Sequence, residues 1–226
     1  MSEENKSVEK IEPSILEQSV EKILYRTLGD RIPKGVTPNM ITLTGAIGSL
    51  IGIICAALSR YCVFFLIGTI AGLVCHVVCD DLDGYVARTR NLGSNCGAYF
   101  DLLTDILNIT FLIIAMAFAG IVQFPIAIFL VPVYALIIFT SMNEILYVKR
   151  FTFPMLGPIE THLFFAAICI GTMITGIRPV ATIFGIGFSV ADLVFLLGGI
   201  PMYFEMIRLQ IQVFIRIKEK DNERNQ

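Results

Sequence analysis

Hydropathy along the chain divides it into six apolar blocks, each near the ~20 residues that a bilayer-crossing helix needs. They predict spans at Met40–Leu58, Tyr61–Cys79, Ala98–Ala119, Val122–Met142, Pro158–Gly176 and Val180–Ile200, the last running on toward Phe204. Ahead of them, residues 1–13 are polar, have no signal-peptide layout and are expected to be disordered. The run Ser14-Ile-Leu-Glu17 reads as a capping box. Ile15, Leu16, Val20, Ile23, Leu24 and Leu28 then recur at helical spacing until Gly29, with Lys22 and Arg26 beside them. This segment, 14–30, predicts an amphipathic helix lying on the membrane surface, with packing against the protein's own bundle as the alternative. Residues 38–207 form the membrane domain, and 208–226 a charged tail expected to be disordered from Lys218 onward. The fold class is an all-α, polytopic membrane protein of six transmembrane helices preceded by an interfacial one.

Composition agrees with that reading. At 226 residues, 55% apolar and 16% charged, with a mean hydropathy of +0.75, the chain is too greasy for an ordinary soluble domain. Fifteen of its 17 basic residues fall in the segments that are cytoplasmic if the N-terminus is, leaving Arg60 and Arg178 outside. Both termini, and the loop after the second span, are therefore placed in the cytoplasm. The six cysteines show no secreted-domain framework and read as free thiols, Cys75 and Cys79 as packing residues. A net charge of -2 points to no nucleic-acid partner.

Charge distribution changes the picture more than its sum. No acidic residue lies between Arg31 and Cys79, and no charge of either sign between Ile106 and Asn143. Between them Asp80–Asp105 packs in five aspartates. An ionisable side chain near bilayer depth costs about 2.5–3.5 kcal/mol, so five together cost roughly 10 kcal/mol or more unless a cation offsets them. Asp80, Asp83, Gly84, Ala87 and Arg88 fall at i, i+3, i+4, i+7 and i+8, one stripe of a helix. Gly97, Asp101 and Asp105 repeat the device at i, i+4 and i+8. Off the stripe, Asp81 reads as a solvated acid or one supporting the ligands, His76 as a packed or supporting residue with a ligand role as the alternative, and Arg90 with Asn91 as a solvated turn.

The pattern Asp80-x2-Asp83-Gly84-x2-Ala87-Arg88-x8-Gly97-x3-Asp101-x3-Asp105 resembles the signature of the CDP-alcohol phosphotransferases, with all eight fixed positions in place. Pro38-Asn39-Met40-Ile41-Thr42 is similar to that family's N-x-x-T segment. The resemblance implies transfer of a substituted phosphate from a CDP-linked donor to an alcohol, with release of CMP and dependence on two Mg2+ or Mn2+ ions. By the same resemblance Asp80, Asp83, Asp101 and Asp105 are metal ligands and Asp105 is the catalytic base. Asn39, Thr42, Gly84, Ala87, Arg88, Ser94 and Gly97 then contact the nucleotide, and the protein is a homodimer. The chemistry is coherent on its own terms: hard oxygen ligands suit such ions, which bridge carboxylates to a diphosphate, and Arg88 adds a forked phosphate donor.

Donor and acceptor are less legible. The run Gly97-Ala-Tyr-Phe-Asp101-Leu-Leu-Thr-Asp105 looks more like the CDP-diacylglycerol-dependent branch. Glu160 and His162, opening the fifth span, look more like the acceptor side of the choline and ethanolamine branch. Lys149 and Arg150 are candidate anchors for headgroups or a phosphate-bearing acceptor, against ordinary loop charge. Asp192 is read as a helix cap, and Glu205 as a partner of Arg208 at i+3. Against the enzyme stand a divalent-cation transporter, which leaves Arg88 unexplained, and a non-catalytic scaffold.

Overall fold

Small residues on one face and large apolar residues on the other decide how the helices of this chain assemble. The structure is a computed structural model that describes residues 9–10, 15–151 and 157–224. Among these, α1 (Ile15–Thr27) is followed by a single 3-10 turn (Gly29–Arg31). Six longer helices come next: α2 (Pro38–Leu58), α3 (Phe65–Thr89), α4 (Asn95–Ala119), α5 (Phe124–Asn143), α6 (Pro158–Thr175) and α7 (Val190–Arg224). All six are long and apolar enough to cross a bilayer.

On α2, Gly45, Ser49, Gly52 and Ala56 are buried, while Leu43, Ile47, Leu50 and Ile54 are exposed. Burying the small stripe lets backbones approach and turns the large side chains to lipid, the arrangement membrane helices favour. The α2–α3 contact is correspondingly tight. A Cβ on Gly72 would lie 2.7 Å from the Gly52 Cα and 2.8 Å from the Gly48 carbonyl oxygen, both backbone atoms that cannot swing away. Thr69 Oγ1 donates to the Gly52 carbonyl at 3.0 Å across the same seam. Leu112, Met116, Phe165, Ile168 and Phe195 belong to the main core, which gathers side chains from α2 through α7.

Several expected boundaries shift. The second span was expected to end at Cys79, where hydropathy falls, yet α3 continues through Thr89 because the acidic stripe itself is helical. After α5 one π-helical turn, Glu144–Val148, follows, ending at Lys149 in left-handed conformation (φ 63). Its buried Glu144 pairs with Arg216 of α7, and Lys220 Nζ donates to the Tyr147 carbonyl at 2.6 Å. These contacts overturn the expectation of a disordered segment from Lys218, since α7 runs to Arg224, about 50 Å of helix.

The sixth span was expected from Val180, but a β-hairpin stands there. β3 (Ala181–Ile183) and β4 (Ile186–Phe188) pair antiparallel around Phe184 and Gly185, both at positive φ (50 and 79), as a two-residue hairpin turn of this hand requires. Hydropathy counted those apolar residues toward a helix that starts only at Val190. Asp192 does cap that helix. It is buried and accepts from Ser189 N at 2.9 Å, Gln123 N at 2.7 Å and Gln123 Nε2 at 3.1 Å, tying α7 to the α4–α5 turn. Residues 1–12 were expected to be frayed, yet Glu9–Lys10 bridges in parallel to Arg150–Phe151. Ser14, the first residue of the expected capping box, lies outside the described residues, as do 152–156 of the loop after Arg150 and the final two residues.

Candidate active site and metal centre

The α2–α3 glycine seam and the turn from α3 into α4 bring three helices to one place. α3 carries Asp80, Asp83, Gly84, Ala87 and Arg88, α4 carries Gly97, Asp101 and Asp105, and α2 brings Asn39 and Thr42. Carboxylate oxygens of Asp80, Asp101 and Asp105 lie within 4.8 Å of one another. Three acids this close repel unless protons or a cation intervene, and an all-carboxylate donor set fits a hard divalent ion. Asp83 is buried beside the trio without joining it, and its Oδ2 accepts a hydrogen bond from Thr42 Oγ1.

His76 lies one helical turn before Asp80 on α3. Its Nε2 is 3.1 Å from Asp105 Oδ1, and the ring is buried. Behind it stands His162 of α6, ring centroids 5.3 Å apart. The Pro158 carbonyl, 2.7 Å from His162 Nδ1, can only accept, so Nδ1 carries the proton. His162 Nε2 is then a buried acceptor with no protein partner among the described residues.

Beside the trio opens a cleft of about 160 Å³. Asn39, Thr42, Gly84, Ala87, Ser94 and Gly97 all line it, with Asp83 and Asp101 at its inner end. The site residues expected to touch nucleotide thus share one cleft, except Arg88. That guanidinium is turned aside: its Nη2 donates to Tyr25 OH at 2.8 Å, and Nη1 would lie 3.0 Å from a Cβ on Gly84. Tyr25 also stacks on Tyr85, centroids 4.6 Å apart. Burial pushes the Tyr25 phenol well above its usual pKa; Arg88 pulls it down, while Glu21 and Asp81 push it further up.

The cleft is shaped for an anion. Ser94 is the N-cap of α4, its hydroxyl accepting from Gly97 N at 3.0 Å, and the positive end of the helix dipole faces the cleft. A Cβ on Gly97 would come 2.9 Å from Asn39 Oδ1, so glycine there lets α2 and α4 close together. A second cavity, about 70 Å³ and almost wholly apolar, lies among α4, α5, α6 and α7, lined by Ile113, Phe164, Phe195 and Met202 among others. Tyr134 on its wall is within electrostatic range of Asp80, Asp101 and Asp105.

The acceptor-side candidates divide. Glu160 and His162 are carried into the interior at the start of α6, Glu160 half-buried. Lys149 is exposed and lines neither cavity, and the backbone of Arg150 pairs with that of Glu9. Arg90 corrects an expectation: it is no solvated turn residue. Its Nη1 donates to the carbonyls of Pro33 (3.0 Å) and Val36 (3.1 Å), and its Nη2 to that of Ile32 (2.7 Å). No spacing rule in the sequence pointed to Tyr25 or Tyr134, which reach the site by packing.

Carboxylates converging from two membrane-spanning helices beside a small-residue cleft define a membrane-embedded transferase of phosphate-bearing groups. The family model described as CDP-alcohol phosphatidyltransferase matches residues 35–197, most of the chain, and the chain belongs to that family. It is accordingly a transferase of substituted phosphate groups in phospholipid biosynthesis, acting on a CDP-linked alcohol. No match was found among curated protein sequences.

Proposed function

We propose that the protein transfers a phosphatidyl group from CDP-diacylglycerol to an alcohol and releases CMP. The observation that carries this reading is the carboxylate trio of Asp80, Asp101 and Asp105, with Asp101 on the wall of the small-residue cleft and Tyr134, on the wall of the apolar cavity, within electrostatic range of all three. The trio, with Asp83, would hold two Mg2+ or Mn2+ ions, which when bound supply charge neutralisation at the attacked phosphoryl group and at departing CMP. The cleft receives the cytidine diphosphate, with Asn39, Thr42 and Ser94 offering polar contacts and Gly84, Ala87 and Gly97 leaving room for it. Arg88, one rotation away from Tyr25, supplies a two-pronged contact to phosphate. Asp105, held by His76, takes the proton of the acceptor hydroxyl as the oxygen attacks phosphorus. A new phosphorus–oxygen bond forms while the bond to the CMP oxygen breaks, and the electron pair leaves with CMP.

Two features support diacylglycerol on the donor: Gly97 is followed by Ala98 rather than an acid, and Asp101 by Leu102 rather than histidine. The competing reading, CDP-choline or CDP-ethanolamine as donor and diacylglycerol as acceptor, is favoured by Glu160 and by the unpartnered His162 Nε2. The positive-inside distribution puts the cleft at the cytoplasmic face. A homodimer belongs to the same reading. The test uses purified protein with Mn2+, radiolabelled CDP-diacylglycerol or CDP-choline, and a panel of alcohols. CMP release from CDP-diacylglycerol supports the proposal; release only from CDP-choline transfers it to the competing branch. Metal flux into liposomes without any nucleotide would favour a transporter instead.

A further inference from the structure

We propose that Arg90 is a positioning residue of the nucleotide cleft: it fixes the entry into α2, and so Asn39 and Thr42, without touching the ligand. The inference rests on the reading of that cleft as a nucleotide site. Arg90 is the C-terminal cap of α3. Asn91 after it is left-handed (φ 55), and Leu92 N bonds back to the Ala87 carbonyl at 3.0 Å, so the chain reverses sharply there. This reversal brings Leu92, Gly93 and Ser94 onto the cleft wall and turns the Arg90 side chain toward the linker ahead of α2.

That linker needs an external tie. Ile32 and Val36 pack on Ile41, Leu82 and Val86, and Val36 N donates to the Pro33 carbonyl at 3.1 Å; beyond these contacts one guanidinium gathers the carbonyls of Ile32, Pro33 and Val36, which no helix or strand uses. Pro38, Asn39 and Thr42 follow at once, on the far wall of the same cleft. A single side chain therefore joins the end of α3 to the start of α2, where Asn39 Oδ1 faces Gly97 and Thr42 donates to Asp83. Arg90 is absent from the lining residues, so its influence is transmitted through the linker. Two of the three carbonyls, those of Ile32 and Pro33, precede the family match that begins at residue 35. A lysine cannot replace the fork, because one ammonium does not span acceptors arranged around two guanidinium nitrogens.

The carboxylate trio lies on α3 and α4 alone, so loosening the linker should weaken the nucleotide and spare the metal. The experiment measures equilibrium binding of CMP in Mn2+, and of Mn2+ by itself, to the full-length protein in nanodiscs, for wild type, Arg90→Ala and Arg90→Lys. Both variants are expected to bind CMP about tenfold or more weakly, with Mn2+ affinity unchanged. In turnover, KM for the CDP-linked donor rises while kcat stays within about twofold, and methylguanidinium restores part of the Arg90→Ala affinity. If Arg90→Ala does not purify folded, Arg90→Lys carries the same comparison. CMP affinity within about twofold of wild type in the folded variants would overturn the proposal, as would a parallel loss of Mn2+ binding. A wild-type protein that binds Mn2+ but no CMP would remove the nucleotide reading itself, and this inference with it.

Discussion

At the scale of single residues, the chemistry turns on how Asp105 is held. Its partner His76 is buried, 3.1 Å away, and reaches it from the same helix face that carries Asp80. Groups that orient metal-ligating side chains typically contribute 10–100-fold to metal affinity or activity. His76→Ala should therefore lower Mn2+ affinity or CMP release by about 10–100-fold, measured by Mn2+ titration followed by electron paramagnetic resonance; an unchanged affinity and rate would remove His76 from the site. Much of this level was legible beforehand. The four motif aspartates sit in pairs at helical spacing, and a helix needs no tertiary information to place Asp80 with Asp83, or Asp101 with Asp105, on one stripe. Arg90 and Tyr25 were not legible, because their roles come from three linker carbonyls and from α1 lying against α3, contacts distant in sequence.

Between elements, the α2–α3 seam sets the site. Gly52 and Gly72 meet backbone to backbone, and that contact fixes the crossing that delivers Thr42 to Asp83. Gly72→Leu should prevent this approach altogether, giving protein that aggregates or melts well below wild type in a detergent thermal-stability assay; a wild-type melting point would show that the seam is looser than described. The other load lies on the Glu144–Arg216 pair linking the π-helical turn to α7. Taking away one partner of a buried ion pair costs about 3–5 kcal/mol, whereas replacing both with matched apolar groups is often neutral. Arg216→Ala should thus destabilise strongly in denaturant titration, and Glu144→Leu with Arg216→Met should recover most of the loss. Hydropathy located the spans to within a few residues, except for the end of the second, which runs on through the acidic stripe to Thr89, and the start of the last. There it failed for a physical reason: a transfer scale sees the apolar content of Ile183, Phe184 and Ile186, and does not see that Gly185 readily takes the positive φ of a tight turn.

For the molecule as a whole, the architecture separates what the reaction must keep apart. Asp101 lines the cleft, while Tyr134, on the wall of the apolar cavity, lies within electrostatic range of the same acids, so on the proposed reading nucleotide and lipid would approach the acidic centre through different surroundings. On the proposed reading, hard cations and a diphosphate would offset the cost of gathering these acids. The most direct measurement is CDP affinity of the purified protein in Mn2+ and in EDTA, for wild type and Asp101→Asn. The account predicts that wild type binds CDP in Mn2+, and that EDTA or the substitution weakens binding by at least about tenfold. Equal CDP affinity with and without the divalent ion, or with and without the Asp101 carboxylate, would contradict it.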